Sequence, residues 1–287
     1  MFEPLPMADF GQLLLNLSGC NLIAQSNVKI DTRLIIEPTF DTTNQLSMNR
    51  FFAIAFFAAV VFSSCRYVKG NRIKGSGKVV TQARTFSGFT VVEVNNAILL
   101  YVKQDSSFSV KVETDDNLQE YIVLKQDGNT LVIEQKNNTS LNATGKIKVY
   151  ISAPVFKDLD ASGACTIIGE NLLSTTDEIE VSVSGASDAE LELKSPRISA
   201  EMTGASSLHL KGQTKDLDIE GSGASHAKCF ELLSENANID VDGASSAEVF
   251  ASVKLDADAS GASHITYKGN ATVGQSVNGA ASVKKVE

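Results

Sequence analysis

The sequence predicts an all-β fold: a right-handed parallel β-helix, or β-solenoid, with repeats of about 19 residues centred on Gly-Ala-Ser. Two observations predict it. Residues on both sides of each Gly-Ala pair alternate between polar and apolar with period two, as in 179–183 and 188–193, which is the pattern of a half-buried strand. The pair itself recurs at spacings of 22, 19, 19, 20, 18 and 18 residues, obtained by subtracting successive glycine numbers: Gly163, Gly185, Gly204, Gly223, Gly243, Gly261 and Gly279.

Each repeat is interpreted as a strand, a tight corner, a second strand and a polar turn. Such units are too short for propeller blades of about forty residues, so we expect coils stacked at about 4.8 Å. Glycine should supply positive φ at the corner, alanine should face the narrow interior, and stacked serines should hydrogen-bond along a column. Because the serine recurs from coil to coil, we interpret the motif as structural rather than catalytic: Ser187, Ser206, Ser225, Ser245 and Ser263.

The domain is predicted to span 75–287, with N-terminal coils over 75–154 and Gly-Ala-Ser repeats over 155–287. The first part shows the same alternation of polar and apolar residues but lacks the Gly-Ala-Ser motif. Its Asp-Gly-Asn at 127–129 is a turn signal. We expect its strands to begin the sheet and cap it: 90–94, 98–102, 108–112, 131–133 and 147–151.

The segments 75–80 (GSGKVV), 86–89 (FSGF), 91–97 (VVEVNNA) and 115–118 (DDNL) precede the Gly-Ala-Ser units in a characteristic order. In this order the chain resembles the head GIN domain family, whose members are described as auto-transporter adhesins. The resemblance covers roughly 75–287. It implies a right-handed β-helix on an envelope lipoprotein and brings no catalytic residues.

Residues 48–64 have the layout of a signal peptide, with Arg50, an apolar run over 51–62 and two serines before Cys65. This run is too short to span a bilayer, which takes about twenty residues. Small residues before a cysteine resemble a lipobox, so Cys65 is the predicted lipidation site, although Phe62 stands where leucine is usual. The alternative is an ordinary secretory signal with a chance cysteine.

Residues 65–74 are predicted to form a basic tether, and 1–47 are interpreted as a mis-annotated or disordered extension before a true start at Met48. Cys20 also follows lipobox-like letters, but Glu3 and Asp9 precede it with no Lys or Arg, so we reject it. We expect a lipid-anchored protein of the bacterial envelope, in the outer membrane. The periplasmic face is favoured because no acidic run follows Cys65.

The amino-acid composition narrows the classes of partner that the protein could bind. With 25 Lys and Arg against 34 Asp and Glu, a net charge of -9 excludes a basic nucleic-acid surface. Trp is absent and Tyr numbers five, so no stacking platform for sugars is indicated. Cys165 and Cys229 fall three coils apart, too far for a disulfide, and should be reduced core residues.

Two outward columns of side chains are candidate sites. His226 and His264 should lie about 10 Å apart, too far to share a metal, and we expect them to be exposed and unpartnered. The second column lies three residues before each glycine. It predicts either a solvated acidic face or, as the alternative, a column that binds cations such as Ca²⁺: Asp160, Glu201, Glu220, Asp240 and Asp258.

The sequence therefore favours a non-catalytic envelope protein, a binding or structural β-solenoid that is adhesin-like, with an unknown glycan or envelope protein as partner and no cofactor beyond that Ca²⁺. One alternative is a polysaccharide-processing β-helix enzyme, but units of 18 to 22 residues leave no room for the long loops of such an active site. The other is a self-associating envelope scaffold, which the charged C-terminal unit disfavours.

Overall fold

A computed structural model of the chain describes residues 71–287. This part is nearly all β, with one 3₁₀ helix at Asp116–Tyr121. The strands of the N-terminal part are β1 (Asn71–Lys74), β2 (Val79–Arg84), β3 (Val91–Asn95), β4 (Ile98–Gln104), β5 (Ser109–Asp115), β6 (Ile122–Asp127), β7 (Thr130–Gln135), β8 (Thr139–Asn142) and β9 (Ile147–Ala153). Those that follow are β10 (Asp158–Ser162), β11 (Thr166–Gly169), β12 (Leu173–Ser174), β13 (Glu178–Val183), β14 (Asp188–Met202), β15 (Ser207–Gly221), β16 (His226–Val241), β17 (Ser246–Ala259), β18 (His264–Lys268), β19 (Thr272–Val277) and β20 (Ser282–Lys285).

The chain winds into a β-solenoid of about seven turns with parallel stacked coils. Successive coils pair in register, so Asp188 lies beside Ser207 and Ser207 lies beside His226. The corners are joined as well, because the amide of Ala205 donates to the carbonyl of Gly185 at 2.7 Å. Equivalent residues of successive repeats thus form continuous columns, while the right hand of the winding stays a prediction.

The N-terminal coils are not stacked in chain order. β3 and β4 form one coil; β10 and β11 pair with it on one side, and β7 and β9 pair with it on the other. β5 then runs antiparallel between β9 and β2, and β6 folds back on β7 through the turn at Gly128. These strands close that end of the stack, as a cap must if sheet edges are not to be left open.

The predicted tether ends earlier than expected. Residues 71–74 are strand β1, which pairs in parallel with β8. The signal peptide, Cys65, Cys20 and the extension over 1–47 lie outside the described residues.

The corners differ from the prediction in one respect. Each corner glycine has positive φ, from 74° at Gly261 to 90° at Gly163, but the alanine after it is exposed and the serine is buried, as at Ala186 and Ser187. Glycine and alanine span the outside of the bend, and the serine begins the next strand pointing inward. Some of these hydroxyls bond within the stack, as Ser225 Oγ does by donating to Ser245 Oγ at 3.1 Å, whereas the buried Ser206 Oγ has no hydrogen-bond partner among the described residues.

The polar turn predicted between the two strands of a repeat is replaced by continuous strand in β14. β14 continues in extended conformation from 188 to 202, through the second bend of the coil. Buried hydroxyls support this bend by bonding to the backbone, as Thr214 Oγ1 does with the carbonyl of Asp216 at 3.0 Å. Such bonds satisfy polar groups that the interior would otherwise leave unpaired.

Apolar columns fill the interior, for example Ile179, Ile198 and Leu217, each at most 1% exposed. Cys165 and Cys229 are buried and free, as predicted, and burial raises the pKa of the Cys229 thiol to about 12. Within residues 71–287, no helix has the length and apolarity to cross a bilayer.

Candidate functional site

The first candidate surface is an acidic face on the strands that precede each corner. Pairing aligns one column of outward residues across β3, β10, β13, β14, β15, β16, β17 and β19: Glu93, Asp160, Ser182, Glu201, Glu220, Asp240, Asp258 and Ser276. Every member that was expected from the spacing lies in this column. Glu93 was missed, because its coil lacks the Gly-Ala-Ser motif by which the other coils could be aligned.

A second column runs beside it on the same face, two residues earlier in each strand. Its carboxylates are Asp158, Glu180, Asp218 and Asp256. Arg197 partly balances this column, since its guanidinium lies 2.7 Å from Asp218 and 3.2 Å from Glu178. Lys254 contacts Asp256 in the same way. The face as a whole is therefore strongly negative.

This crowding raises the pKa values of two carboxylates on β10. Burial raises the pKa of Asp158 to about 6, and repulsion from Glu180, Asp160 and Glu93 adds to the shift. Burial also raises the pKa of Asp160, with Glu93 and Glu201 contributing. The stack therefore holds like charges together at neutral pH at some cost to its stability.

The acidic columns do not gather the ligands of a metal ion. In the part of the chain that the structure describes, no three His, Cys, Asp or Glu side chains are arranged to hold one. A flat sheet sets its carboxylates in lines at the strand spacing, whereas Ca²⁺ needs six to eight oxygens around one point. The geometry thus favours the solvated face over the alternative of a column that binds cations.

The histidines are not unpartnered as expected. His226 Nδ1 lies 2.8 Å from the hydroxyl of Ser246 on the next coil, and Ser282 bonds His264 Nδ1 at 3.1 Å. Histidine and serine alternate along this column in the order His226, Ser246, His264 and Ser282, so register places a small serine directly beside each histidine. This column is a structural ladder.

The second candidate surface is a cleft of about 450 Å³ in the N-terminal part. Its lining includes Tyr150, whose ring stacks on Tyr101 with centroids 4.9 Å apart and planes inclined by 9°. Lysines 103 and 111, four hydroxyl side chains and two carboxylates complete the lining with Ile151: Lys103, Lys111, Thr81, Ser107, Ser109, Ser152, Asp105 and Glu170.

Strand pairing explains how these residues meet. β9 lies between β4 and β5, so Tyr150 has Tyr101 on one side and Lys111 on the other. Two residues further on, Lys103 and Ser109 flank Ser152 in the same way. Sequence reasoning missed this site because 49 residues separate the two tyrosines (150 minus 101), and nothing in the alternation of β4 or β9 shows that these strands are neighbours.

One carboxylate of the cleft has its pKa lowered by a neighbouring lysine. Lys103 lies 3.4 Å from Asp105, and the hydrogen bond between them, with their attraction, lowers the pKa of Asp105. Asp105 therefore stays ionised, whereas the general acid of a glycosidase needs a raised pKa.

The head GIN domain profile, described as "Putative auto-transporter adhesin, head GIN domain", matches residues 88–271, which is most of the described solenoid. The chain belongs to the head GIN domain family. This confirms the resemblance drawn from the segments before the repeats, and both candidate surfaces include residues of the matched region. A search among curated proteins finds no match to the sequence.

Solved structures share the fold of this head GIN domain. An adhesin-like protein of Bacteroides fragilis, described as a "putative adhesin", matches with a TM-score of 0.70 at 20% identity, over 75% of this chain and 100% of its own. A "putative adhesin" of Parabacteroides merdae matches with a TM-score of 0.61 at 23% identity, over 76% and 100%. A "Putative lipid binding protein" of Parabacteroides distasonis matches with a TM-score of 0.61 at 22% identity, also over 76% and 100%.

Proposed function

We propose that this protein is a non-catalytic, adhesin-like β-solenoid of the bacterial cell envelope that presents rigid faces to a glycan or an envelope protein. The observation that carries the proposal is the alignment of equivalent residues on the strands around each corner, which continues from β13 to β20 although the β15–β16 and β16–β17 pairs have register shifts elsewhere in the coil. The described coils follow one another with only short connections. A rigid, repetitive surface of this kind suits a repetitive ligand, because little ordering is needed on binding.

We propose further that the protein is attached to the outer membrane by a lipid on Cys65 and faces the periplasm. The support is the apolar run over 51–62 followed by small residues and a cysteine. An acyl chain on the mature N-terminus would hold the solenoid at a membrane surface without a spanning helix.

Metabolic labelling with a radioactive fatty acid tests the anchor. The full chain is expressed beside Cys65→Ser and, as a matched control, Cys20→Ser. We expect label and membrane association to be lost in Cys65→Ser alone. Equal labelling of the Cys65 variant and the parent would overturn the anchor.

Protease treatment of intact and permeabilised cells tests the placement and the adhesin-like role. Digestion only after permeabilisation is expected for a periplasmic protein, and the search for a partner then turns to periplasmic glycans and envelope proteins. Digestion in intact cells would refute the periplasmic placement and leave adhesion at the cell surface as the role to test.

A further inference from the structure

We propose that the cleft on Tyr150 is a saccharide-binding site that takes a neutral hydroxylated ring. This rests on the proposed function and names both the surface and the ligand class. It also changes the expectation from composition, which indicated no stacking platform.

An aromatic platform is the first requirement, and the structure supplies it. Tyr101 covers one face of the Tyr150 ring, and Tyr150, not Tyr101, lines the cleft. Strand pairing places Lys111 on the other side of Tyr150, and both residues line the cleft, so a ligand would meet this ring beside the Lys111 side chain. A sugar ring has an apolar C–H face that packs on such a surface, and a ring held by a stacked neighbour loses little freedom on binding.

Hydrogen-bonding groups around the ring are the second requirement. Ser107, Ser109 and Thr81 supply hydroxyls, and Lys103 and Asp105 supply a donor and an acceptor side by side. Lys111 forms no ion pair with any described carboxylate, so its ammonium keeps its donors for a ligand. Sugar hydroxyls both donate and accept, which matches this mixed lining.

The balance of charge and apolar surface in the lining indicates which class of ligand the cleft would bind. Two lysines face two carboxylates, so the lining gives no net attraction to a phosphate or a polyanion. Ile151 is the one aliphatic residue in the lining, and it is only 3% exposed because its side chain belongs to the core, so the cleft offers too little apolar surface for an acyl chain. A volume of about 450 Å³ lies within the range of small-molecule sites, roughly 300–1,000 Å³.

The rim of the cleft is rigid. The side-chain amide of Gln104 donates to the carbonyls of Pro154 and Ser174 at 2.8 and 2.9 Å, and its backbone amide donates to Asn171 at 2.9 Å. These bonds tie the end of β4 to the next coil. The backbone that carries Lys103 and Asp105 is therefore held in place before a ligand arrives.

Saturation-transfer NMR on the full-length chain tests the site, with glucose, galactose, mannose, N-acetylglucosamine and lactose as neutral probes. We expect at least one to bind, with its ring C–H protons most strongly saturated. Tyr150→Ala should weaken that binding at least tenfold, whereas Tyr150→Phe should retain it because the stacking face remains. Tyr267→Ala is the matched control, since this half-buried tyrosine lies on another part of the stack.

The outcomes separate this site from the proposed function. Absence of binding by all five sugars, or binding that survives Tyr150→Ala, overturns the site. Preference for glucuronic acid or for phosphatidylglycerol vesicles over the neutral probes overturns the ligand class. Conversion of lactose to monosaccharides in the same sample would instead refute the non-catalytic function while leaving the site in place.

Discussion

Single residues decide whether one coil can approach the next at the corners. Gly204 has φ of 82°, and a Cβ built on it would lie 2.5 Å from the carbonyl oxygen of Gly185. Both the positive φ and the close approach therefore require glycine there. Gly88 has nearly the same φ, 77°, but a Cβ there would meet nothing within 4 Å. These two residues separate the conformational requirement from the packing requirement.

Gly88→Ala should cost about 1–2 kcal/mol, the penalty of a left-handed conformation for alanine. Gly204→Ala should cost about 1–3 kcal/mol more, because the backbone of the neighbouring coil must move as well. Urea unfolding of both variants measures the difference. Equal losses would show that the stacked corners can separate freely.

At the scale of strands, the acidic columns link stability to pH. The folded-state pKa of Asp158 is raised to about 6, so between its unfolded value near 4 and about pH 6 the folded protein holds the extra proton. Protonated Asp158 favours the folded state at low pH. This contribution to stability is lost as the pH rises through the folded-state pKa. Asp242 is the opposite case, since bonds from Ser260 and the Gly243 amide lower its pKa.

Asp158→Asn is thus expected to raise the unfolding midpoint at pH 7.5, with a gain that shrinks toward pH 4. Asp242→Asn should lower the midpoint at pH 7.5, because its stabilisation is present at high pH and is lost as pH falls. Thermal unfolding measured from pH 4 to 7.5 shows whether each variant raises or lowers the unfolding midpoint. A destabilising Asp158→Asn at pH 7.5 would contradict the role of charge repulsion in this column.

Period-two alternation predicted where strands lie but not which strands are neighbours. The strand expected over 98–102 is β4, and the strand expected over 147–151 is β9. Alternation reports only that one side of a strand is buried, and burial against β3 or β7 leaves the same pattern. The coil order at the N-terminal end, and with it the Tyr101–Tyr150 pair, therefore required the structure. In the repeats the glycine spacing marks equivalent positions, which is why the acidic column was predictable from Asp160 onward.

At the scale of the whole molecule, the repeats behave as a stack in which each coil contacts its neighbours. Ser207 pairs with Asp188 on one side and His226 on the other. Removing 207–225 joins Ser206 to His226, which then takes the place of Ser207 beside Asp188. The acidic and apolar columns stay aligned in this shorter chain, and the N-terminal cleft is untouched.

The deletion of 207–225 should therefore fold, with a cooperative transition whose free energy is lowered by the contribution of one coil and one interface. Deleting only 207–216 should be worse, although it removes fewer residues. It would put Leu217 in the outward place of Ser207 and turn Asp218 inward, because each step along a strand changes the face. Circular dichroism and thermal unfolding of the two variants compare them. If the longer deletion unfolds as readily as the shorter one, the coils are not independent units and stability depends on a contact that spans the whole stack.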